Sequence, residues 1–258
     1  LAPAVPRPAL VKLGGSLLTD KAEESSFRRP AARRLLAEVA KANLPTVLLH
    51  GAGSFGHPAA ARHRIGQAKA KPDAVSEVLA CVGSLAAQVV SLANDAGLRP
   101  LPVPLHIQAH GDTDGLADLP IDALVKAIEE GYTPVLHGTL VRDPALSWRA
   151  VSADELMRDL AAELTPRLAV FATNVDGVYD RDPGDPAAKL LERVSGDAGL
   201  VSLAAGAGDD VTGRMAGKLA HARACARHCP TLILNGDVKG RLLDALKGKS
   251  VPCTRVEG

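Results

Sequence analysis

The chain has 258 residues, of which 47% are hydrophobic and six are aromatic, with a formal net charge of +1. A chain this long buries a core without disulfide or metal staples, and here Leu, Val and Ala must fill it. So few aromatics exclude a base-stacking platform for single-stranded nucleic acid, and the balanced charge gives no reason to expect a polyanion or a membrane surface as partner.

Residues 1–8 are rich in Pro and read as a disordered lead. They lack a charged region followed by an apolar one, so no signal peptide is expected. No apolar run approaches membrane-spanning length, and the expected location is the cytoplasm. Ala9–Leu13 reads as a strand, 30–42 as a helix with Pro30 in its first turn, and 45–50 as a second strand. A long helix follows over 74–96, with Val75, Val78, Leu79, Val82, Leu85 and Val89 on its apolar face. Then come an extended piece at 101–105, a helix over 121–131 and a strand over 133–137. A helix over 153–164 and a strand over 167–173 come next, then a helix over 213–227, a strand over 231–235 and a short helix over 240–246. Such alternation predicts an α/β fold with a mainly parallel sheet covered on both faces. The stretch 179–207, rich in Asp, Pro and Gly, reads as a projecting loop or hairpin.

Four segments carry chemistry. Lys12-Leu-Gly14-Gly15-Ser16 follows the first strand, and its glycines let backbone amides converge on an anion with Lys12 pointing to the same turn. His50-Gly51-Ala52-Gly53-Ser54-Phe55-Gly56-His57-Pro58 follows the second strand and contains G-x-G-x-x-G. A dinucleotide fingerprint belongs after the first strand, opens a clean helix and is followed by an acidic strand end. None of these holds here, because Pro58 and the Arg- and His-rich stretch behind it open no clean helix. The turn reads instead as an anion site whose two flanking histidines donate hydrogen bonds. Thr173-Asn174-Val-Asp176-Gly-Val-Tyr179 follows a later strand, where α/β sheets bind ligands; an Asp there holds Mg2+ through water or orients a lysine, or else serves only an Asx turn. Asp210-Val-Thr212-Gly213-Arg214-Met-Ala-Gly217-Lys218 lacks Walker A spacing, yet Thr212 and Gly213 can open a helix whose free amides meet a phosphate. Helical spacing places Gly217 beside Gly213, leaving room for a phosphate or another chain segment. Cys225 and Cys229 have His221 and His228 nearby but read as small buried thiols near a helix end, so no metal site is expected.

Taken in this order, the motifs resemble the amino acid kinase family, and within it the isopentenyl phosphate kinase group. Lys12–Ser16, Thr19-Asp20-Lys21, His50–Pro58, Arg64-Ile65-Gly66, Val151–Asp154, Val175–Tyr179, Asp210–Lys218 and Thr254-Arg255-Val256 carry the likeness. The resemblance implies an open αβα sandwich, with residues 9–165 holding a phosphate acceptor and 166–258 holding ATP. It implies a homodimer, a small-molecule phosphate substrate, ATP and Mg2+. It implies that Lys12, Lys21, His57 and Lys218 are catalytic. The acceptor would meet His50, Gly51, Ala52, Gly53, Gly56, His57 and Ser152. The nucleotide would meet Lys12, Gly14, Gly15, Ser16, Asp154, Asn174, Asp176, Tyr179, Thr212, Gly213, Gly217 and Lys218. Two positions depart from the family pattern: Thr139 follows Gly138 where an Asp is usual, and Arg214 replaces a glycine. A fosfomycin-type antibiotic kinase and a non-catalytic nucleotide-binding protein of the same fold stay open as alternatives. No strong general base is expected, since a phosphate is already a nucleophile.

Overall fold

A computed structural model describes residues 7–20, 22–112, 115–195 and 211–258, with backbone alone at residues 112 and 211–214. Its core is an eight-stranded sheet. The first strands in chain order are β1 (Ala9–Leu13), β2 (Thr46–His50) and β3 (Pro100–Pro102), and β6 (Thr133–His137) joins them. The later half contributes β9 (Leu168–Thr173), β10 (Arg193–Val194), β11 (Thr231–Asn235) and β12 (Thr254–Val256). The order is β10-β12-β11-β9-β1-β2-β6-β3, so the strands of the two halves of the chain meet at the β1–β9 pair. Every pairing is parallel except β11 with β12. The expectation of a mainly parallel sheet holds.

Side chains of a strand alternate between faces, and both faces here are dry. Leu10, Leu49, Leu136, Phe171 and Ile233 face one helical layer. That layer comprises α6 (Ile121–Glu129), α7 (Ala153–Leu164) and α8 (Val211–Ala226). Val11, Leu13, Leu48, Val170 and Leu234 face the other, built from α2 (Arg29–Ala42), α4 (Pro72–Asp95) and α9 (Arg241–Leu246). Short helices α1 (Gly15–Leu18), α3 (Gly53–Arg62) and α5 (Leu105–Gln108) cap the upper edge.

Three expectations need correction. First, α3 is a helix despite Pro58. The carbonyl that Pro58 cannot bond, that of Ser54, instead accepts the Ser25 N–H at 3.1 Å, so no polar group is stranded. Second, α4 is long and apolar enough to cross a membrane by length and composition, with a window of mean hydropathy 1.7. In the fold its Val82, Leu85, Val89 and Leu92 are buried, the last three in the core under the sheet. Third, a separate four-stranded sheet of order β5-β4-β7-β8 went unforeseen. Its members are β4 (His110–Asp112), β5 (Gly115–Ala117), β7 (Thr139–Asp143) and β8 (Ser147–Val151). The stretch 179–207 does fold back on itself where it is described, with Tyr179 bridged antiparallel to Leu190; residues 196–207 lie outside the described residues.

Candidate active site

The site lies where the parallel strands end. The ladder continues into each turn: Gly14 N–H bonds Ala172 O at 2.9 Å, Gly51 N–H bonds Leu13 O at 3.1 Å, and Gly138 N–H bonds His50 O at 3.0 Å. The two glycine turns then pack backbone against backbone. A Cβ on Gly15 would stand 2.8 Å from both Cα and N of Gly53, and one on Gly51 would stand 2.9 Å from Gly15 N. Gly53 also has φ +51, a left-handed value that favours glycine. Only residues without side chains fit this junction, which leaves an amide-lined floor.

Cations stand beside it. Lys12, near the end of β1, places Nζ 2.8 Å from Asp154 Oδ1; Lys218, in α8, places Nζ 3.1 Å from Asp154 Oδ2. All three side chains are largely buried, at 6%, 11% and 19% exposure in the order Lys12, Lys218, Asp154. Burial pushes the Asp154 carboxyl pKa up, but the two ammonium groups outweigh it and hold the group well below the usual carboxylate range. The Lys218 pKa is lowered, first by burial and then by the neighbouring Lys12, with Asp154 opposing. Asp154 is carried on the first turn of α7, whose N-cap is Ser152: its hydroxyl accepts the Glu155 N–H at 3.0 Å. The Ser152 side chain, expected to meet substrate, is thus used to start the helix that carries Asp154.

The two histidines flanking the second turn differ. His57 is exposed, whereas His50 is wholly buried. His50 stacks on His137, ring centroids 5.3 Å apart, and its Nδ1–H donates to Gly51 O at 3.1 Å. Its Nε2 is buried with no partner among the described residues. Burial, then repulsion by His137, lowers the His50 pKa to about 3. A neutral ring whose only N–H is already engaged does not donate to a phosphate, so the expectation that both histidines grip a ligand fails for His50. Ala52, Gly53 and Gly56 line the turn, and a Cβ on Gly56 would stand 2.7 Å from Val82 Cγ1, which places α4 directly behind it.

On the other side, Ser16 Oγ bonds Asn174 Oδ1 at 3.3 Å. Asp176 approaches neither lysine; its Oδ1 accepts Asn235 Nδ2 at 3.0 Å and a guanidinium nitrogen of Arg241. Tyr179 is half-buried beside it. Arg28 donates to Ser16 O at 2.8 Å and to Asp237 at 3.2 Å. Sequence reasoning missed Arg241, Arg28 and His137, since none stands in a motif. No described protein atom comes within 4 Å of a Cβ placed on Gly217, so no described segment makes the close approach considered there. Lys21 lies outside the described residues, as do the side chains of Thr212 and Arg214. Thr139 is buried at the start of β7, and its hydroxyl has no partner among the described residues. Cys225 and Cys229 are buried, and burial raises the pKa of both thiols.

A parallel sheet sandwiched by helices, with glycine turns and paired lysines at its strand ends, defines a phosphate-handling α/β protein. The chain belongs to the amino acid kinase family, whose profile matches residues 7–235. It is 32% identical to the isopentenyl phosphate kinase of Methanothermobacter thermautotrophicus over 96% of this chain and 98% of that one. It is 33% identical to the isopentenyl phosphate kinase of Haloferax volcanii, over 81% of this chain and 85% of that one. Among solved structures, a Thermoplasma acidophilum isopentenyl phosphate kinase product complex superposes with a TM-score of 0.81 at 26% identity, covering 97% of this chain and all of that one.

Proposed function

We propose that the chain transfers the γ-phosphoryl group of ATP to the phosphate of isopentenyl phosphate, giving the diphosphate and ADP. The observation that carries this reading is the Lys12–Asp154–Lys218 cluster beside the fused glycine turns. One carboxylate and two ammonium groups leave a net positive charge against an amide floor, where a transferring phosphoryl group needs fixed partners. An acceptor oxygen attacks the γ-phosphorus as the bond to the β–γ bridging oxygen breaks, and the lysines neutralise charge on the moving group. Asp154 orients both lysines and takes no proton. His57 donates to the acceptor phosphate from the exposed lip of the second turn. Val82, buried behind Gly56, would back a pocket for the hydrocarbon tail, each buried CH2 contributing about 0.8 kcal/mol.

ATP fits the donor set, because the glycine junction excludes side chains and Lys12 stands two residues before Gly14 with Lys218 joined to it through Asp154. Mg2+, when bound, supplies further charge neutralisation. It would be held mainly through the nucleotide phosphates and water, as this cation commonly is. A homodimer and a cytoplasmic location complete the reading. The names of the relatives support the acceptor.

An ADP-release assay over a panel of acceptors tests it. Isopentenyl phosphate should be turned over, His57→Ala should raise its KM or abolish turnover, and Val82→Phe should exclude the tail while ATP still binds. Phosphorylation of fosfomycin or an amino acid with isopentenyl phosphate inert would overturn the acceptor. Nucleotide binding without any turnover would favour a binding protein.

A further inference from the structure

We propose that Glu38 is a positioning residue for the nucleotide half of the site, capping α9 from the neighbouring helix α2. Glu38 is only 6% exposed, and a carboxylate taken out of water needs several donors. Three reach it. Gly240 N–H bonds Oε1 at 2.9 Å, Leu243 N–H bonds Oε2 at 3.3 Å, and Arg34 bonds Oε1 at 2.9 Å.

The first two are free amides at the start of α9, which has no side-chain cap of its own because its N-cap residue is Gly240, at φ +83. A glycine offers no side-chain oxygen, so a residue about two hundred positions earlier supplies two. Arg34 extends the hold: its second nitrogen donates to Gly236 O at 2.7 Å. Helix α2 therefore grips both ends of the turn 236–240.

That segment carries the groups around Asp176. Asn235 and Arg241 both donate to Asp176 Oδ1, and Asp237 N–H fixes Asn235 by bonding its Oδ1 at 2.9 Å. Asp237 also takes Arg28, whose other nitrogen holds the Ser16 carbonyl. Glu38 touches none of the reacting groups. It acts through the turn and α9, which set where Arg241, Asn235 and, through them, Asp176 stand. Identifying the ligand beside Asp176 as a nucleotide rests on the function proposed above.

The test compares wild type with Glu38→Gln, Glu38→Ala and Arg34→Met. It measures the Kd of a non-hydrolysable ATP analogue by calorimetry, KM for ATP and for isopentenyl phosphate, and the melting temperature. Loss of a cap corresponds to about fivefold in an equilibrium, so Glu38→Ala should weaken analogue binding by about that factor and raise KM for ATP while KM for the acceptor stays put. Glu38→Gln keeps one carbonyl acceptor and should restore part of the loss. A lower melting temperature with analogue Kd unchanged would make Glu38 merely structural and overturn the proposal. If Glu38→Ala does not fold, Glu38→Gln and Arg34→Met decide: unchanged Kd in both overturns it, and weakened binding in both upholds it. A wild-type chain that binds no nucleotide sinks the functional reading as well, whereas wild-type binding with indifferent variants sinks Glu38 alone.

Discussion

Two buried clusters of ionisable groups sit at the strand ends, and they meet burial in opposite ways. Lys12, Asp154 and Lys218 came out of water as a set, with 2.8 and 3.1 Å contacts that compensate one another. His50 and His137 instead stack on one another, and each ring Nδ1–H donates to the carbonyl of the next residue, Gly51 O and Gly138 O. Burial lowers the pKa of both rings, and a neighbouring histidine adds to it in each case: His137 for His50, His106 for His137. Asp154 is held in its charged form because two ammonium groups stand at contact distance, whereas the stacked histidine rings are driven toward the neutral form. Opposite charge at contact distance, not degree of burial, decides which cluster can face an anion.

The sharpest way to break this contrast is to remove the shared counter-charge. Asp154→Asn should leave two ammonium groups facing each other and cost about 3–5 kcal/mol of stability, read from urea unfolding. Unfolding midpoints near wild type would show that the lysines do not depend on Asp154. Next in size, Lys12→Ala and Lys218→Ala should each raise the barrier by about 2.7–4 kcal/mol, seen as lower kcat in a protein with a wild-type circular dichroism spectrum. Wild-type turnover in folded Lys218→Ala would remove that residue from the chemistry.

The histidine cluster is probed by pH. The folded His50 pKa is depressed from 6.5 to about 3, so its contribution is present above the unfolded value and is lost as pH falls from 6.5 toward 3. His50 alone should contribute a drop of about 1.4 kcal/mol per pH unit over that window as the unfolded chain takes up the proton first, with His137 and His221, whose pKa values are also lowered, adding to it. Asp154, whose pKa is also depressed, responds only below the ordinary Asp range of about 4, so midpoints taken between pH 4.5 and 6.5 isolate the histidines. His50→Gln should reduce that slope by about one proton's share; an unchanged slope would mean that His50 is protonated in the fold. Smallest of all, Ser152→Ala should cost about 1 kcal/mol by uncapping α7, with KM for the acceptor unmoved if its hydroxyl does no more than cap.

Much of the frame was legible because strands buried on both faces read as plain apolar runs. Thr133–His137, Ala153–Leu164 and Thr231–Asn235 fall where the sequence placed them, to the residue. The β7–β8 hairpin escaped notice because its turn, 144–146, has no glycine. It is closed by Asp143, whose Oδ1 accepts the Ala145 and Leu146 N–H groups, at 2.9 and 2.7 Å. Helix α3 was missed because Pro58 breaks a helix only when its lost acceptor finds no other donor, and that donor, Ser25, comes from a distant loop. In the site, Lys12 and the glycine turns were visible as residues after strands. The pairing of Lys12 with Lys218 through Asp154 was not, because only the tertiary fold brings the three together. His50 shows the converse: its motif position suggested contact with ligand, and only packing reveals a ring shut inside.

The last strand of the sheet, β3, is Pro-Leu-Pro, and two of its three residues have no N–H to give. A sheet margin normally offers a row of donors and acceptors on which a stray strand, from a misfolded copy or a neighbouring chain, can crystallise. Here that margin keeps its carbonyl acceptors but lacks the donors a pairing strand would need at Pro100 and Pro102. The side of the sheet that ends in β3 is thus poorly equipped to recruit a further strand, and the strand ends that carry Lys12 and the glycine turns belong to a sheet with little means of growing there.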